Sequence, residues 1–261
     1  GGTQSTPQQL PSVIALWLGV RCVVALGCLL AASRRPSAPP AASWIATPPR
    51  EVWRFMAVIA LANGVGLLNY RATLFMVERF HGIAAAGIYS VAVQVAELLW
   101  MLSGALTVAA YHRIGAAPAR ESALLAAHAA RQGVVLTALA APLLGVLAWA
   151  ALPWVLGVAY RHSWLPLLCL LPGVAAYAAA SGLSAFFTHH GGRPQWAAGI
   201  AALSLLVNLA VGVVLVPRWG AVGAALASSL GYMLAIGVGL WLFQRHTALP
   251  WKTLWRGDNL E

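Results

Sequence analysis

Long uninterrupted runs of apolar residues dominate the pattern along the chain, and short polar segments separate them. A helix needs about 20 mostly apolar residues to cross the hydrocarbon of a bilayer. Seven runs reach that length: 11–32, 52–77, 83–111, 134–160, 164–188, 195–216 and 221–243. Such runs exclude membrane β-strands, which alternate over roughly ten residues. The pattern therefore predicts an all-α integral membrane protein with seven transmembrane helices.

Two longer polar segments divide this pattern. Residues 33–50 contain repeated prolines, which forbid a continuous helix and separate the first predicted helix from the next six. Segment 112–133 is long enough to hold a short interfacial helix that begins near Pro118. We therefore expect four parts: an outside tail and helix at 1–32, a cytoplasmic connector at 33–50, a six-helix unit at 51–245 and a cytoplasmic tail at 246–261.

The composition agrees with a membrane protein. Of 261 residues, 61% are hydrophobic and 8% are charged, and the mean hydropathy is +0.78. A soluble domain keeps about a quarter of its residues charged. The cysteines Cys22, Cys28 and Cys169 lack the spacing of a metal site, so no metal or other cofactor is expected. Since the chain starts with glycine and no basic segment precedes its first apolar run, we expect a fragment or a processed chain.

The net charge of +10 is explained by topology. If the C-terminus lies in the cytoplasm, the inside segments carry eleven Lys and Arg residues and the outside segments carry three. This asymmetry satisfies the positive-inside rule. It predicts that the start of the chain lies outside and that its end lies in the cytoplasm. Nucleic acid is not an expected partner.

The last predicted span carries a stripe of small residues. Its members recur every four positions: Gly223, Ala227, Gly231, Ala235 and Gly239. Small side chains let a neighbouring helix backbone approach closely. Ordinary packing within one protein is the favoured explanation, and an interface between copies is the alternative.

Several predicted spans carry polar side chains, and the third carries Ser90, Gln94 and Glu97 at helical spacing on one face. Ionisable residues inside a membrane usually face a bundle interior or water. Two interpretations stay open: a shared hydrophilic cavity, or hydrogen bonds between helices with Glu97 paired to Arg71. The cavity is favoured for the charged groups, and hydrogen bonding between helices is favoured for the amides and serines. The candidate cavity residues are Arg21, Asn63, Arg71, Gln94, Glu97, Tyr177, Ser181 and Asn208.

Three stretches resemble a known family. They are "GIYSVAVQVAELLWMLSGAL" (87–106), "LGVAYRHSWLPLLCLLPGV" (156–174) and "GRPQWAAGIAALSLLVNLAVGVVLVPRWGAVGAALASSLGYML" (192–234). They are similar to the C-terminal half of bacterial polysaccharide flippases, the O-antigen and exopolysaccharide exporters of the multidrug/oligosaccharidyl-lipid/polysaccharide superfamily. The third stretch is the most specific, although Gly212 replaces a frequent asparagine and Ala227–Ser228 replaces the usual Ala-Thr pair.

The resemblance implies a fold of two six-helix bundles around a central cavity. Residues 1–32 would then hold the last helix of an N-terminal bundle that this chain lacks. The implied substrate is a polyprenyl-diphosphate-linked oligosaccharide, moved with coupling to protons, sodium ions or the membrane potential. Arginines would bind the diphosphate, and Glu97 would bind the coupling ion. The implied partners are membrane lipid, the N-terminal bundle, a polysaccharide polymerase and glycosyltransferases.

Other functions compete with this one. Members of the same superfamily export cationic drugs, and a cavity for cations would rely on carboxylates more than on arginines. A seven-helix receptor fits the predicted topology, but a retinal protein is excluded because the single lysine, Lys252, lies beyond the last span. Ser184 in "GLSA" and His246 would suit an intramembrane protease only if they met in the fold. We expect that the protein is not an enzyme.

Overall fold

The computed structural model describes residues 19–27, 30, 50–189 and 194–248. The chain divides into two compact units, Gly1–Pro49 and Arg50–Glu261. In the first unit, residues 19–27 form a helix, α1, in which Arg21 is exposed. Much of the predicted span 11–32 and most of the predicted connector 33–50 fall outside the described residues.

The described part of the second unit is helical and contains no strand, which confirms the predicted all-α class. Its elements are α2 (Arg50–Ala116), α3 (Ala119–Val155), a 3-10 helix (Val158–Ser163), α4 (Trp164–Tyr177), α5 (Ala180–His189) and α6 (Pro194–Thr247). Four helical stretches in the described residues are long and apolar enough to cross a membrane: Gly64–Leu106, Ala119–Val155, Val158–Thr188 and Gln195–Thr247.

Glycines break α2 and α6 into two arms each. Gly82 has φ 80° and ψ 173°, and Gly220 has φ 54° and ψ −127°, which are conformations that residues with a Cβ rarely adopt. The predicted spans 52–77 and 83–111 lie in the two arms of α2, and spans 195–216 and 221–243 lie in those of α6. A first arm precedes the glycine and a second arm follows it.

The two breaks lie side by side. The Nε2–H of His81 donates a hydrogen bond to the carbonyl oxygen of Val216 at 2.8 Å. A Cβ on Gly220 would lie 3.5 Å from the imidazole of His81. The helix breaks at Gly220, four residues after Val216, so the histidine satisfies a carbonyl group in the last turn of the first arm.

The middle of the chain differs from the predicted pattern in two places. The predicted short interfacial helix within 112–133 is wrong as a separate element, because α3 begins after Pro118 and runs without a break to Val155. Its first turns are buried: a Cβ on Gly182 of α5 would lie 2.6 Å from the carbonyl oxygen of Ala126. The predicted span 164–188 is interrupted, since α4 ends at Tyr177 and α5 starts at Ala180.

The small-residue stripe of the last span packs within the chain. Its five members are buried. A Cβ on Gly231 would lie 2.8 Å from the backbone oxygen of Ser204, and one on Gly239 would lie 3.0 Å from Cδ1 of Ile200. The second arm of α6 therefore packs on its own first arm. The most extensive contact between elements joins α2 to α6 and positions the site described next.

Candidate functional site

Three polar side chains of α2 form what we call the α2 polar patch: Arg71 on the first arm, and Gln94 and Glu97 on the second. Arg71 and Gln94 are exposed, and Glu97 is half-buried. The positive charge of Arg71 acts electrostatically on the carboxylate of Glu97. The two arms therefore bring together one cation, one carboxylate and one amide, which the chain separates by up to 26 positions (97 − 71).

The patch lies at the edge of the buried face of the second arm. Val93 and Ala96 are buried in the core, whereas Met101 is 71% exposed. Gln94 makes no hydrogen bond to any other described residue. Charged and amide groups on an apolar helix are costly in contact with lipid. In a membrane they therefore require water or a polar partner. The patch therefore places charged and amide groups beside exposed apolar side chains such as Met101.

A small niche lies beside Glu97. It has a volume of about 10 Å³ and is lined by Glu97, Tyr89, Trp100, Ser228 and Tyr232, among others. A volume of that size holds about one water molecule. The indole nitrogen of Trp100 is buried and has no hydrogen-bond partner within the part of the chain that the structure describes.

An aromatic layer separates this niche from a larger cavity. The ring of Tyr177 lies 5.8 Å from that of Trp100 and 4.8 Å from that of Tyr232, and Trp100 lies 6.0 Å from Tyr232. Tilted and edge-on arrangements at these distances are favourable for aromatic pairs. Tyr177 lines the larger cavity, whereas Trp100 and Tyr232 line the niche, so contacts between their rings connect the walls of the two spaces.

The larger cavity has a volume of about 150 Å³ and lies between α4, α5 and α6. Its walls are mainly apolar, with Leu183, Phe187 and Ile236 beside small alanines. Two residues with hydroxyl groups, Tyr177 and Ser184, also line it. The cavity occurs where the turn at 178–179 separates α4 from α5. Discontinuous membrane helices often mark binding sites in transporters.

A buried hydrogen-bond network joins the first arms of α2 and α6. Asn208 donates through Nδ2 to Oδ1 of Asn69 at 2.6 Å and to Oγ1 of Thr73 at 2.7 Å. Asn69 donates in turn to Oγ of Ser204 at 3.1 Å. All four side chains are at most 5% exposed. Amides and hydroxyls buried among apolar helices are satisfied here by one another, as their desolvation requires.

The network continues towards the niche. Ser228 on the second arm of α6 donates to Oδ1 of Asn208 at 3.4 Å, and its oxygen lies 3.1 Å from the hydroxyl of Tyr89. With the serine hydrogen directed at Asn208, the hydroxyl of Tyr89 is the donor to Ser228. Since Tyr89 and Ser228 both line the niche, the network connects the core of the bundle to the side chains around Glu97.

The structure separates the predicted site residues into different environments. Arg71, Gln94 and Glu97 come together, and Tyr177 lines the larger cavity. Asn208 is 1% exposed within the network and lines neither the niche nor the larger cavity. The hydroxyl of Ser181 donates to the carbonyl of Ala178 in its own turn. Asn63 has a side chain outside the described set, and Arg21 belongs to the first unit.

Sequence reasoning missed several residues of the site. Asn69 and Thr73 are four residues apart, a spacing that puts two side chains on one face of a helix, and this spacing could have identified them. Tyr89 and Trp100 carry no such signal. Aromatic residues in an apolar span resemble ordinary core or interface residues.

The described residues hold no group of three or more His, Cys, Asp or Glu side chains that could bind a metal ion. Comparisons with protein-family models, curated proteins and solved structures found no match to this chain. The site must therefore be interpreted from its own geometry.

Proposed function

We propose that this chain is part of a membrane transporter that moves a polyprenyl-diphosphate-linked oligosaccharide across the bacterial cytoplasmic membrane for export of a surface polysaccharide. The α2 polar patch is the observation that carries the proposal. A charged sugar-diphosphate headgroup can cross an apolar slab only where water and polar side chains replace its hydration shell. Arg71, Gln94 and Glu97 provide such groups at the exposed side of an apolar helix.

Each member of the patch has a role in this proposal. Arg71 binds the diphosphate, because a guanidinium forms paired hydrogen bonds with phosphate oxygens. Gln94 binds sugar hydroxyls, since a carboxamide both donates and accepts hydrogen bonds. Glu97 binds the coupling proton or sodium ion and responds to the charge of Arg71.

The proposed assembly is larger than the described unit. The C-terminal lobe of six helices packs beside a second helical bundle, with the C-terminus in the cytoplasm, and the two enclose the patch between them. The exposure of Arg71 and Gln94 supports this arrangement, because lipid would be an unfavourable neighbour for both. Membrane lipid, glycosyltransferases and a polysaccharide polymerase would be the other partners.

The proposal is tested by Arg71→Gln in the gene product as the producing cell makes it. We expect export of the surface polysaccharide to fall at least tenfold, with a normal amount of protein in the membrane. Arg161→Gln is the matched control, because Arg161 is exposed in the 3-10 helix and far along the chain from the patch. Unimpaired export in Arg71→Gln would contradict the assignment.

Glu97 favours a second candidate, a cation-coupled exporter of cationic drugs. A carboxylate beside an aromatic layer suits a cationic aromatic molecule, which benefits from charge and ring contacts together. In that case Glu97→Gln would abolish efflux of a cationic dye and Arg71→Gln would leave it intact. The lipid-linked oligosaccharide is preferred because Arg71 and Gln94 have no role in binding a cation.

A further inference from the structure

We propose that the 150 Å³ cavity between α4, α5 and α6 binds the isoprene unit next to the diphosphate of a prenyl-diphosphate lipid. This inference rests on the proposed function and assigns the lipid part of the substrate to a site distinct from the α2 polar patch. It starts from the size and lining of the cavity.

The apolar walls define the first part of the ligand. Leu183, Phe187 and Ile236 offer only apolar contacts. A cavity of roughly this volume holds one benzene-sized group, and a five-carbon isoprene unit is of similar size. The small side chains of Ala180, Ala197 and Ala201 leave width for a methyl branch, which a straight acyl chain would not fill.

Two hydroxyl groups define the second part of the ligand. Tyr177 and Ser184 line the cavity, and neither hydroxyl hydrogen-bonds within the described part of the chain. A serine in a membrane helix ordinarily satisfies its hydroxyl on the carbonyl four residues earlier. Ser184 leaves its hydroxyl available to a ligand instead. The oxygen that joins a prenyl chain to its phosphate is an acceptor that both hydroxyls suit.

The position of the cavity connects it with the headgroup site. Tyr177 packs at 5.8 Å on Trp100, which lines the niche beside Glu97. One aromatic layer thus separates the proposed chain site from the proposed headgroup site. A lipid with its first isoprene unit in the cavity would hold its diphosphate at the edge of this layer.

The test measures binding of radiolabelled geranyl diphosphate to the full chain in nanodiscs. Ala201→Phe fills the cavity, and Tyr177→Phe removes one hydroxyl while keeping the ring. Ala210→Phe is the matched control, because Ala210 is exposed on the same arm of α6 and lines neither cavity. We expect the Kd to rise at least tenfold in Ala201→Phe, three- to tenfold in Tyr177→Phe and less than twofold in the control. Circular dichroism and thermal melting establish which variants are folded.

Other probes separate the chain site from the headgroup site. Inorganic diphosphate should bind the wild type, Ala201→Phe and Tyr177→Phe equally. If inorganic diphosphate does not bind the wild type at all, the proposed function fails. Uncharged geraniol tests the chain site separately: it should bind the wild type, and Ala201→Phe should abolish this binding. Wild-type affinity for geranyl diphosphate in Ala201→Phe would overturn the inference. If Ala201→Phe does not fold, wild-type affinity for geranyl diphosphate in Tyr177→Phe would overturn the inference. The inference would also be overturned if the wild type bound decyl diphosphate as tightly as geranyl diphosphate.

Discussion

Asn208 on the first arm of α6 donates to Oδ1 of Asn69 on the first arm of α2 at 2.6 Å, and this bond joins two segments 139 residues apart. The same nitrogen lies 2.7 Å from the hydroxyl of Thr73. Hydrogen bonds between membrane helices contribute little each, but an unpartnered amide in an apolar interior is costly. The network therefore fixes the packing of α2 on α6, the two helices that carry or surround the patch.

Replacement of Asn208 by Leu should destabilise the chain by about 1–3 kcal/mol, because Asn69 and Thr73 lose their shared partner inside the core. Unfolding by SDS in mixed micelles, followed by circular dichroism, measures the change. Ser181→Ala is the control, since its hydroxyl bonds only within its own turn, and it should change the free energy of unfolding by less than about 1 kcal/mol. Equal effects of both substitutions would show that the network does not hold the arms together.

Gly231→Ala and Gly237→Ala form a matched pair on the second arm of α6. A Cβ at Gly231 would lie 2.8 Å from the backbone oxygen of Ser204, and a backbone atom can shift only at a large energetic cost. A Cβ at Gly237 would have no atom within 4 Å. We expect Gly231→Ala to cost about 1–3 kcal/mol and Gly237→Ala to be neutral or to stabilise by up to about 1 kcal/mol. Thermal melting in detergent compares the two, and a harmless Gly231→Ala would contradict the close packing of the arms.

Thr137→Val and Thr73→Val should have opposite effects. Both threonines are at most 1% exposed, but the hydroxyl of Thr137 has no hydrogen-bond partner among the described residues. That of Thr73 accepts from Asn208 and donates to the carbonyl of Asn69 at 3.2 Å. Valine has the same shape and no hydroxyl. The free energy of unfolding should rise by up to about 1 kcal/mol in Thr137→Val and fall by about 1 kcal/mol or more in Thr73→Val. A loss of stability in Thr137→Val would show that its hydroxyl has a partner in the membrane.

The sequence predicted the helical class and the location of four arms, because long apolar runs and helical spacing depend only on local pattern. It also placed Gln94 and Glu97 on one face. It offered the pairing of Arg71 with Glu97 only as one of two interpretations, because the helical spacing within each span does not show which spans are neighbours. Tertiary packing decides which arms are neighbours. It also decides the hydrogen-bond partners of Asn208, so the sequence alone could not predict them.

The larger cavity was also beyond sequence reasoning. The run 164–188 is continuous in hydropathy, and nothing in its pattern requires the turn after Tyr177 that opens the space. Tyr177 and Ser181 lie four positions apart in this run, which places both on one helix face. The actual position of Tyr177, between a polar niche and an apolar cavity, follows from the break in the helix.

The most direct test is whether water reaches the patch in a membrane. Gln94→Cys and Val146→Cys, in a protein whose native cysteines are replaced by serine, are treated with a charged, membrane-impermeant maleimide, which needs a hydrated thiolate. Val146 is the control because it is 66% exposed on the apolar surface of α3. Labelling of Gln94→Cys in intact membranes at least ten times faster than that of Val146→Cys is the predicted result. Equal protection of both cysteines would show that lipid or dry protein covers the patch, and no hydrated headgroup could pass there.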